Sequence, residues 1–435
     1  MAEQMANKAW TQLLQKYNIV EKVEKQGDFS ISASEIKKFR EPRLMAKWDS
    51  SEDLPQILKR NDLNILPISR SAYSIAKYKL YQSFPTDPAK ELEYVATKPF
   101  ESIDFDNITS ESNAINAMMI TGILDDFLEV RSGDETVETF NGRMGSGPLD
   151  FYVDRIKGEP AHVKTESIQI EIDGGFENDD AVVIMEAKNV PHPDFHVRQL
   201  YFPYLLWSKK VNKKIRLVFS QYVDSIYHLY EYHFTDRNNY SSIELLRCKD
   251  YTFQSTAITW DDMRELWERV EPEFDDNEED SEVPFPQADT FTTVITLMER
   301  LADGSSMNTA EIAEYMEFDP RQSNYYASAG EYLGVLEHPY GEGVRLSAVG
   351  ASIMRKKVRE RRLAILGQMF KHEIFHYFFG VIYGNGELPS IAAIMDQMKL
   401  HHMCAEGSTM RRRASTVRGW LRWMVGLADD DSKVG

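Results

Sequence analysis

The stretch that most constrains the fold runs from Ser167 to Asn189 and reads SIQIEIDGGFENDDAVVIMEAKN. It contains two β-strand patterns joined by a short connection. In the first strand three isoleucines alternate with polar residues, so Glu171 and Asp173 share the face opposite the isoleucines. The second strand, Ala181–Lys188, is almost entirely apolar through Met185, which is typical of a central strand buried on both faces. The stretch therefore predicts a β-hairpin in a sheet.

The connection of this hairpin carries glycines and acids. Gly174 and Gly175 permit positive φ angles, so we expect the turn there. Asp179 and Asp180 precede the second strand, which places them at its far end from Glu186. We therefore do not expect these two acids in the same site as Glu186.

The hairpin brings two carboxylates and a lysine together. Glu186 and Lys188 are two residues apart and share a strand face, and Asp173 ends the facing strand. Such carboxylates can hold Mg²⁺, and the lysine can position or activate a water molecule, which is a minimal site for phosphodiester hydrolysis. Alternatively, the E-x-K tripeptide occurs by chance and the acidic strand face is only solvated.

The residues after the hairpin predict a helix beside this site. The aromatic-rich segment Asp194–Lys210 predicts a helix that is interrupted near Pro203. Two strands, in Lys213–Ser220 and Ser225–Phe234, should follow. Gln199 could then point toward a metal or a DNA phosphate, or it could be an ordinary amide on the helix surface.

This arrangement resembles the core of the PD-(D/E)XK nuclease superfamily, with Asp173 as its first acid and Glu186-Ala-Lys188 as its second half. Ile172 stands in the position of the motif's proline, which is often missing in this superfamily. More narrowly, the chain resembles bacterial type II restriction endonucleases. Three further stretches carry that likeness: REPRLMAKWD (Arg40–Asp49), NILPISRSAY (Asn64–Tyr73) and RRRASTVRGWLRWM (Arg411–Met424).

The resemblance implies a fold and a mechanism. The fold would be a mixed α/β restriction-endonuclease-like core. Asp173 and Glu186 would bind Mg²⁺, and Lys188 would orient the attacking water and offset charge on the phosphate. The product would carry a 5′-phosphate. Glu171 could be an additional ligand or a hydrogen-bond partner.

Related nucleases often add an acid from a helix that precedes the hairpin. Glu111 is the candidate here, because it opens a predicted helix over Glu111–Val130 that Ser110 or Thr109 could cap. Glu111 could equally be a first-turn acid that the helix dipole favours.

Composition and the motifs that the sequence lacks argue against several other classes of protein. The chain of 435 residues is long enough for two or three domains, and it has no apolar run that could span a bilayer and no signal-peptide core. Cys248 and Cys404 are too few for a disulfide framework or a zinc site. Phosphate-loop and dinucleotide-binding patterns are missing from the sequence, so we expect neither ATP nor NAD dependence. We expect a cytoplasmic protein.

The formal net charge of −19 is unusual for a protein that binds DNA. An acidic run, Glu271–Glu282, accounts for part of it and predicts a solvated linker. Positive charge is concentrated further along, where it could meet DNA or only form exposed helix faces. The two basic runs are Arg355, Lys356, Lys357, Arg359, Arg361 and Arg362, then Arg411, Arg412, Arg413, Arg418 and Arg422.

The C-terminal region predicts three helices followed by a short wing. The predicted helices are Phe291–Leu301, Asn308–Met316 and Arg321–Val335, with a strand and a helix start in Val344–Gly350. This order resembles a winged helix-turn-helix, whose third helix commonly enters the major groove. Alternatively, the winged helix only mediates contacts with other proteins. The candidate DNA-contacting residues are Arg321, Gln322, Ser323, Asn324, Tyr325, Arg411, Arg412, Arg413 and Arg418.

A similar pattern could recur across Pro389–Leu427, ending in a helix over Thr416–Val425. Trp420 and Trp423 of that helix are expected in the core. The N-terminal region predicts helices over Ala9–Val20 and near Ile31–Phe39, and it could touch DNA or pack on the core.

We therefore expect four segments: an N-terminal domain (1–95), the nuclease core (96–270), an acidic linker (271–284) and a winged-helix region (285–435). The expected function is site-specific, Mg²⁺-dependent cleavage of double-stranded DNA by a homodimer, with a cognate DNA methyltransferase as genetic partner. The alternatives are a DNA-binding regulator with a non-cutting core and a modification-dependent or repair nuclease.

Overall fold

The chain divides into two compact units. A computed structural model describes residues 2–85, 92–105, 108–253, 258–273, 285–316, 318, 320–339, 341–401, 403 and 407–428. Unit 1 consists of Met1–Glu93, Ser110–Tyr222 and Ile226–Tyr251, and unit 2 of Tyr94–Thr109, Val223–Ser225 and Thr252–Gly435. The N-terminal segment and the predicted hairpin therefore lie in the same unit.

Unit 1 mixes helices and strands. Its helices are α1 (Ala2–Tyr17), α2 (Ile19–Gln26), α3 (Ala33–Lys37), α4 (Arg43–Ala46), α5 (Gln56–Lys59), α6 (Glu111–Ile120), α7 (Ile123–Leu128) and α8 (Arg198–Trp207). Its strands are β1 (Phe29–Ser32), β2 (Asn64–Ser69), β3 (Ala72–Ala76), β4 (Tyr81–Ser83), β5 (Leu92–Tyr94), β6 (Val137–Gly145), β7 (Leu149–Val153), β8 (Ala161–Thr165), β9 (Gln169–Glu177), β10 (Ala181–Lys188), β11 (Asp194–His196), β12 (Lys214–Val223), β13 (Ile226–Phe234) and β14 (Ile243–Thr252).

A seven-stranded sheet dominates unit 1, in the order β5-β14-β13-β12-β10-β9-β6. Strand β10 runs parallel to β12 and antiparallel to β9, and β6 is antiparallel to β9. Smaller antiparallel sheets are β1-β3-β2, β4-β11 and β7-β8. The parallel pair requires a crossover, and the chain between β10 and β12 supplies it with β11 and α8.

The hairpin of β9 and β10 forms as the alternation predicts, and every residue of β10 is buried. The expected turn at Gly174-Gly175 is wrong, since both glycines lie inside β9, opposite Met185 and Ile184. Neither has a positive φ angle. Glycine is needed at position 175 for lack of space, because a Cβ there would overlap the ring of Phe140.

Helix α8 packs on this hairpin through a large apolar cluster. Leu200, Tyr201 and Leu205 of α8 share the cluster with Ile172 of β9 and Ile184 of β10. The helix is not interrupted at the position that we predicted, since it runs from Arg198 to Trp207 with Pro203 inside it. Burial of most of the helix around this proline offsets the one backbone hydrogen bond that it removes.

The helix predicted over Glu111–Val130 is two helices. Helix α6 ends at Ile120, and α7 starts after Gly122, which has a φ of 76°. The predicted cap is confirmed, because Ser110 Oγ accepts a hydrogen bond from the backbone N–H of Asn113.

The N-terminal segment has its own apolar cluster. It is centred on the fully buried Trp10 of α1, whose indole N–H donates to the carbonyl of Met45. Helix α3, in the predicted stretch Ile31–Phe39, begins after Ser32, whose side chain caps it.

Unit 2 is mostly helical in its described part. Its helices are α9 (Trp260–Arg269), α10 (Phe291–Arg300), α11 (Thr309–Tyr315), α12 (Pro320–Tyr332), α13 (Ala348–Met354), α14 (Val358–Phe370), α15 (Glu373–Asn385), α16 (Ile391–Leu400) and α17 (Ser408–Val425), and its antiparallel strands are β15 (Leu336–Glu337) and β16 (Arg345–Leu346). The predicted mixed α/β class with a mostly helical C-terminal region is confirmed.

The described elements of unit 2 follow the predicted order of three helices, a wing strand (β16) and a further helix start (α13), whereas strand β15, which pairs with β16, was not predicted. Asn308 and Glu311 form a capping box at α11, and Ser347 caps α13. Trp420 of the last helix is fully buried, as expected of a core residue, whereas Trp423 is partly exposed. Between Pro389 and Leu427 the described residues form α16 and α17, with no strand among them.

Candidate active site

The first acid of the site, Asp173, lies where the pairing of β9 and β6 changes register. From Phe140 to Gly142 strand β6 advances two positions, while β9 advances three, from Gly175 to Ile172. This shift is a β-bulge, and such bulges redirect side chains near functional sites. Asp173 lies within this bulge and is half-buried.

A backbone hydrogen bond fixes this acid against the neighbouring strand. The N–H of Ala187 donates to Asp173 Oδ2 at 2.9 Å. Ala187 is the middle residue between Glu186 and Lys188, so the three chemically active side chains gather around one peptide segment. The structure therefore brings together the three residues that the sequence predicts.

The two carboxyl groups are held away from solvent. Glu186 is 6% exposed. Burial, together with the neighbouring charge of Asp173, raises the pKa of Glu186 well above its usual value. Burial also raises the pKa of Asp173, although the charge of Lys188 and the Ala187 hydrogen bond partly oppose it. Two such acids side by side disfavour double ionisation until a cation is supplied.

Lys188 is the positive group of the site and is 7% exposed. Its Nζ lies 3.3 Å from Glu186 Oε1 and 3.6 Å from Glu111 Oε1. Glu111 at the start of α6 therefore reaches the site, which the sequence left open. The two carboxylates hold the buried ammonium of Lys188 in a fixed position.

The other two predicted residues differ in their placement. Gln199 of α8 donates from Nε2 to Glu186 Oε1, so it faces the site and is not a surface amide. Its buried Oε1 has no hydrogen-bond partner in the described structure. Glu171 is exposed and pairs instead with Arg143 across β6 and β9, with 2.9 Å between Nε and Oε1.

A residue that sequence reasoning missed also borders the site. Asp49 accepts a hydrogen bond of 2.7 Å from Arg198 Nη2, and its carbonyl accepts the N–H of His196 at 2.8 Å. Burial acts to raise the pKa of Asp49, but the charges of Arg198 and Lys188 outweigh it and hold that pKa below its usual range. Asp49 lies in the stretch Arg40–Asp49, which the sequence analysis used only as evidence of family resemblance.

The donors suit a hard divalent cation. Carboxylate oxygens are the ligands that Mg²⁺ prefers, and it commonly uses only one or two of them beside water and phosphate oxygens. Asp173 and Glu186 supply such a pair. Among the described residues no group of three or more His, Cys, Asp or Glu side chains is arranged to hold a metal, so protein ligands alone do not form a closed site.

The candidate DNA-contacting residues of unit 2 lie on two helices. On α12, Asn324 and Tyr325 are exposed and Gln322 is partly exposed, whereas Ser323 is only 1% exposed. Asn324 Oδ1 accepts a hydrogen bond from Thr309. The side chain of Arg321 lies outside the described residues.

On α17 the arginines divide by exposure. Arg411 and Arg412 are exposed, and Arg418 is partly buried with its Nε donating to the carbonyl of Pro389 at 3.0 Å. Arg413 is 4% exposed and lies over the ring of Phe285, so it faces inward.

Within the part of the chain that the structure describes, no helix is both long and apolar enough to cross a bilayer. Three family models match successive segments. They are described as Domain of unknown function (DUF6996) at residues 7–75, Domain of unknown function (DUF6997) at residues 76–252, and Domain of unknown function (DUF7226) at residues 293–429. Comparison with curated proteins and with solved structures found no match.

The segments that these models match divide the candidate residues. Asp173, Glu186, Lys188 and Gln199 all fall within residues 76–252, and Asp49 falls within residues 7–75. The arginines of α17 fall within residues 293–429. The segment with the three candidate catalytic residues is thus matched separately from the arginine-rich helix.

Proposed function

We propose that the protein is a Mg²⁺-dependent endonuclease of the PD-(D/E)XK superfamily that cuts double-stranded DNA at specific sites, as type II restriction enzymes do. The observation that carries this proposal is the convergence of Asp173, Glu186 and Lys188 around the Ala187 peptide. The neighbouring elements fit as well, because a hairpin, a flanking helix and a parallel strand follow one another in β9, β10, α8 and β12.

Each residue has a role in this chemistry. Asp173 and Glu186 would hold Mg²⁺, which would supply a water molecule of lowered pKa and offset charge on the scissile phosphate. Lys188 orients the attacking water and stabilises negative charge as the phosphodiester bond breaks. Gln199 holds Glu186 in place, and Glu111 does the same for Lys188. The cut leaves a 5′-phosphate and a 3′-hydroxyl.

The raised pKa values of Asp173 and Glu186 support this assignment. A carboxyl pair that resists full ionisation by itself gains the most when a divalent cation arrives, since the cation offsets both the repulsion and the burial. A purely structural pair would instead gain a nearby arginine or lysine for each acid. Here the charge of the single residue Lys188 acts to lower the pKa of both acids.

The biological setting follows from the proposed activity. A site-specific nuclease needs a DNA methyltransferase to protect the host, and a homodimer is the simplest way to cut both strands of a palindromic site. Unit 2 would bind DNA, because its three helices and the β15-β16 hairpin follow the order of a winged helix.

Digestion of unmethylated phage DNA tests the proposal. Wild-type protein should give discrete bands with Mg²⁺ and none with EDTA. The Lys188→Ala variant should lose this activity, whereas Lys164→Ala should keep it, since Lys164 is an exposed lysine of β8 in the same unit.

Three results would contradict the proposal or part of it. Equal cutting by wild type and Lys188→Ala would remove this site from the chemistry. No cutting of unmethylated or methylated DNA despite tight binding would favour a regulator. Cutting of methylated DNA alone would make the enzyme modification-dependent.

A further inference from the structure

The last helix of the described chain, α17, is anchored firmly on one side. Trp420 is fully buried, donates its indole N–H to the carbonyl of Ala288 at 2.7 Å and stacks on Phe375. Thr416 donates to Asp289 Oδ1 at 2.6 Å. The rotation of α17 about its axis is therefore fixed, and so is the face that it presents to solvent.

The opposite face of α17 carries arginines. Arg411, Arg418 and Arg422 are spaced by seven and four residues, so they lie along one stripe over three helical turns. This stripe is about 16 Å long, at 1.5 Å per residue. Arg412 is exposed at its edge, and Ser415 lies between the arginines. We call this surface the arginine stripe.

Among the residues that the structure describes, acidic groups do not neutralise the stripe. Helix α17 contains five arginines and neither aspartate nor glutamate. Within the described part of the chain, none of the arginines Arg411, Arg412 and Arg422 has an ion-pair partner. By contrast, the exposed Arg345 of unit 2 is paired with Glu337 at 2.7 Å and with Glu342 at 2.8 Å.

The winged-helix-like elements have the opposite charge. Between Phe291 and Leu346 the chain has nine acidic residues and only three arginines. Two of these arginines, Arg300 and Arg345, are ion-paired. This surface can offer polar side chains to bases, but it is poorly suited to attracting phosphates, which supply most non-specific affinity for DNA.

We infer that the arginine stripe of α17, and not the helix α12, is the surface through which unit 2 binds the phosphate backbone of duplex DNA. The inference rests on the proposed function for the identity of the ligand. The two helices then have different roles: α17 binds the backbone and positions the duplex, and the neutral side chains of α12 contact bases. Duplex DNA fits this surface because its phosphate charges are dense and continue along the whole length of the stripe.

The test compares two full-length triple variants with equal changes in net charge. One carries Arg411→Gln, Arg412→Gln and Arg422→Gln. The control carries Arg264→Gln, Arg300→Gln and Arg345→Gln, which removes three arginines that are paired with acids in unit 2. Affinity for a 30-base-pair duplex is measured in EDTA by fluorescence anisotropy between 50 and 200 mM NaCl.

The stripe variant should bind about 10- to 100-fold more weakly than wild type at 100 mM NaCl, and its salt slope should fall by roughly one for each arginine removed. The control should bind within about twofold of wild type. Circular dichroism should show the same helix content in all three proteins, since the changed side chains are exposed or partly exposed.

Equal losses in the two variants, or none in either, would overturn the inference. It would also be overturned if wild type binds an acidic polypeptide such as polyglutamate through the stripe but does not bind duplex DNA. Failure of the proposed function is separate, because wild type could bind DNA through the stripe and still not cut it. Conversely, wild type could cut while the stripe variant binds normally, and then only this inference fails.

Discussion

The backbone N–H of Ala187 donates a hydrogen bond to Oδ2 of Asp173, and this bond holds the acid of β9 beside the strand that carries Glu186 and Lys188. Asp173 also lies where the pairing of β9 with β6 changes register. The site therefore depends on the pairing of β9 with β10 as well as on the residues themselves.

Glu186→Gln should stabilise the metal-free protein at pH 8. The folded state raises the pKa of Glu186, so it retains a proton that the unfolded chain releases near its ordinary pKa. Stability therefore falls as the pH rises from the unfolded pKa through the folded one. Glutamine is neutral at every pH and avoids this loss.

Thermal unfolding in EDTA checks this prediction. The variant should unfold at a higher temperature than wild type at pH 8, and the difference should disappear near pH 4. A variant that is less stable than wild type at pH 8 would show that the ionised carboxylate is favourable in the absence of metal.

Mg²⁺ should stabilise wild-type protein against unfolding at pH 8, because it binds the folded state through Asp173 and Glu186. With a dissociation constant of about 1 mM, 10 mM Mg²⁺ would contribute about 1.4 kcal/mol. The double variant Asp173→Asn, Glu186→Gln should show no such gain. Calorimetric scans with 10 mM Mg²⁺ or EDTA measure it, and equal stabilisation of both proteins would place the metal elsewhere.

Gly175→Ala should destabilise unit 1 by about 1–3 kcal/mol, because the new methyl group would overlap the Phe140 ring, which stacks on Trp207. Gly145→Ala is the matched control in the neighbouring strand, where the methyl group would only touch the side chains of Ser167 and Arg70. Urea titration followed by tryptophan fluorescence compares them. Equal stability of the two variants would show that the Phe140 ring moves aside at little cost.

Glu299→Gln should stabilise unit 2 above neutral pH. Burial raises the pKa of Glu299 to about 7, against the opposing charge of Arg361, whose Nη1 lies 3.4 Å from Glu299 Oε1. Wild type therefore loses stability between about pH 4.5 and pH 7, on the order of 1–3 kcal/mol, and the glutamine variant does not.

Unfolding midpoints at pH 5 and pH 8 test this prediction, with the exposed Glu314→Gln of α11 as the control. The control should match wild type at both values. A Glu299→Gln variant that loses stability at pH 8 would show that the ion pair with Arg361 matters more than the cost of burying a charge.

Much of the hairpin could be predicted, because strand alternation and a fully apolar β10 are local patterns. The glycines were misassigned, since a glycine that makes room for an aromatic ring looks the same in sequence as one that permits a turn. Helix α8 ran through Pro203 because tertiary packing outweighs one missing hydrogen bond.

Asp49 could not have been found from local patterns. It is 149 positions from its partner Arg198, and only the folded chain brings it near Lys188. The inward direction of Arg413 and Ser323 was equally hidden, because helical periodicity leaves the buried face uncertain when polar residues occupy both sides.

The most direct test of the central claim is the single-turnover cleavage rate of Asp173→Asn, Glu186→Gln, Lys188→Ala and the triple variant. Residues that act as one catalytic unit are strongly non-additive. We predict that each single variant loses at least about 10³-fold in rate. The triple variant should be about as slow as the slowest single variant. Small losses that multiply in the triple variant would contradict a shared catalytic centre in β9 and β10.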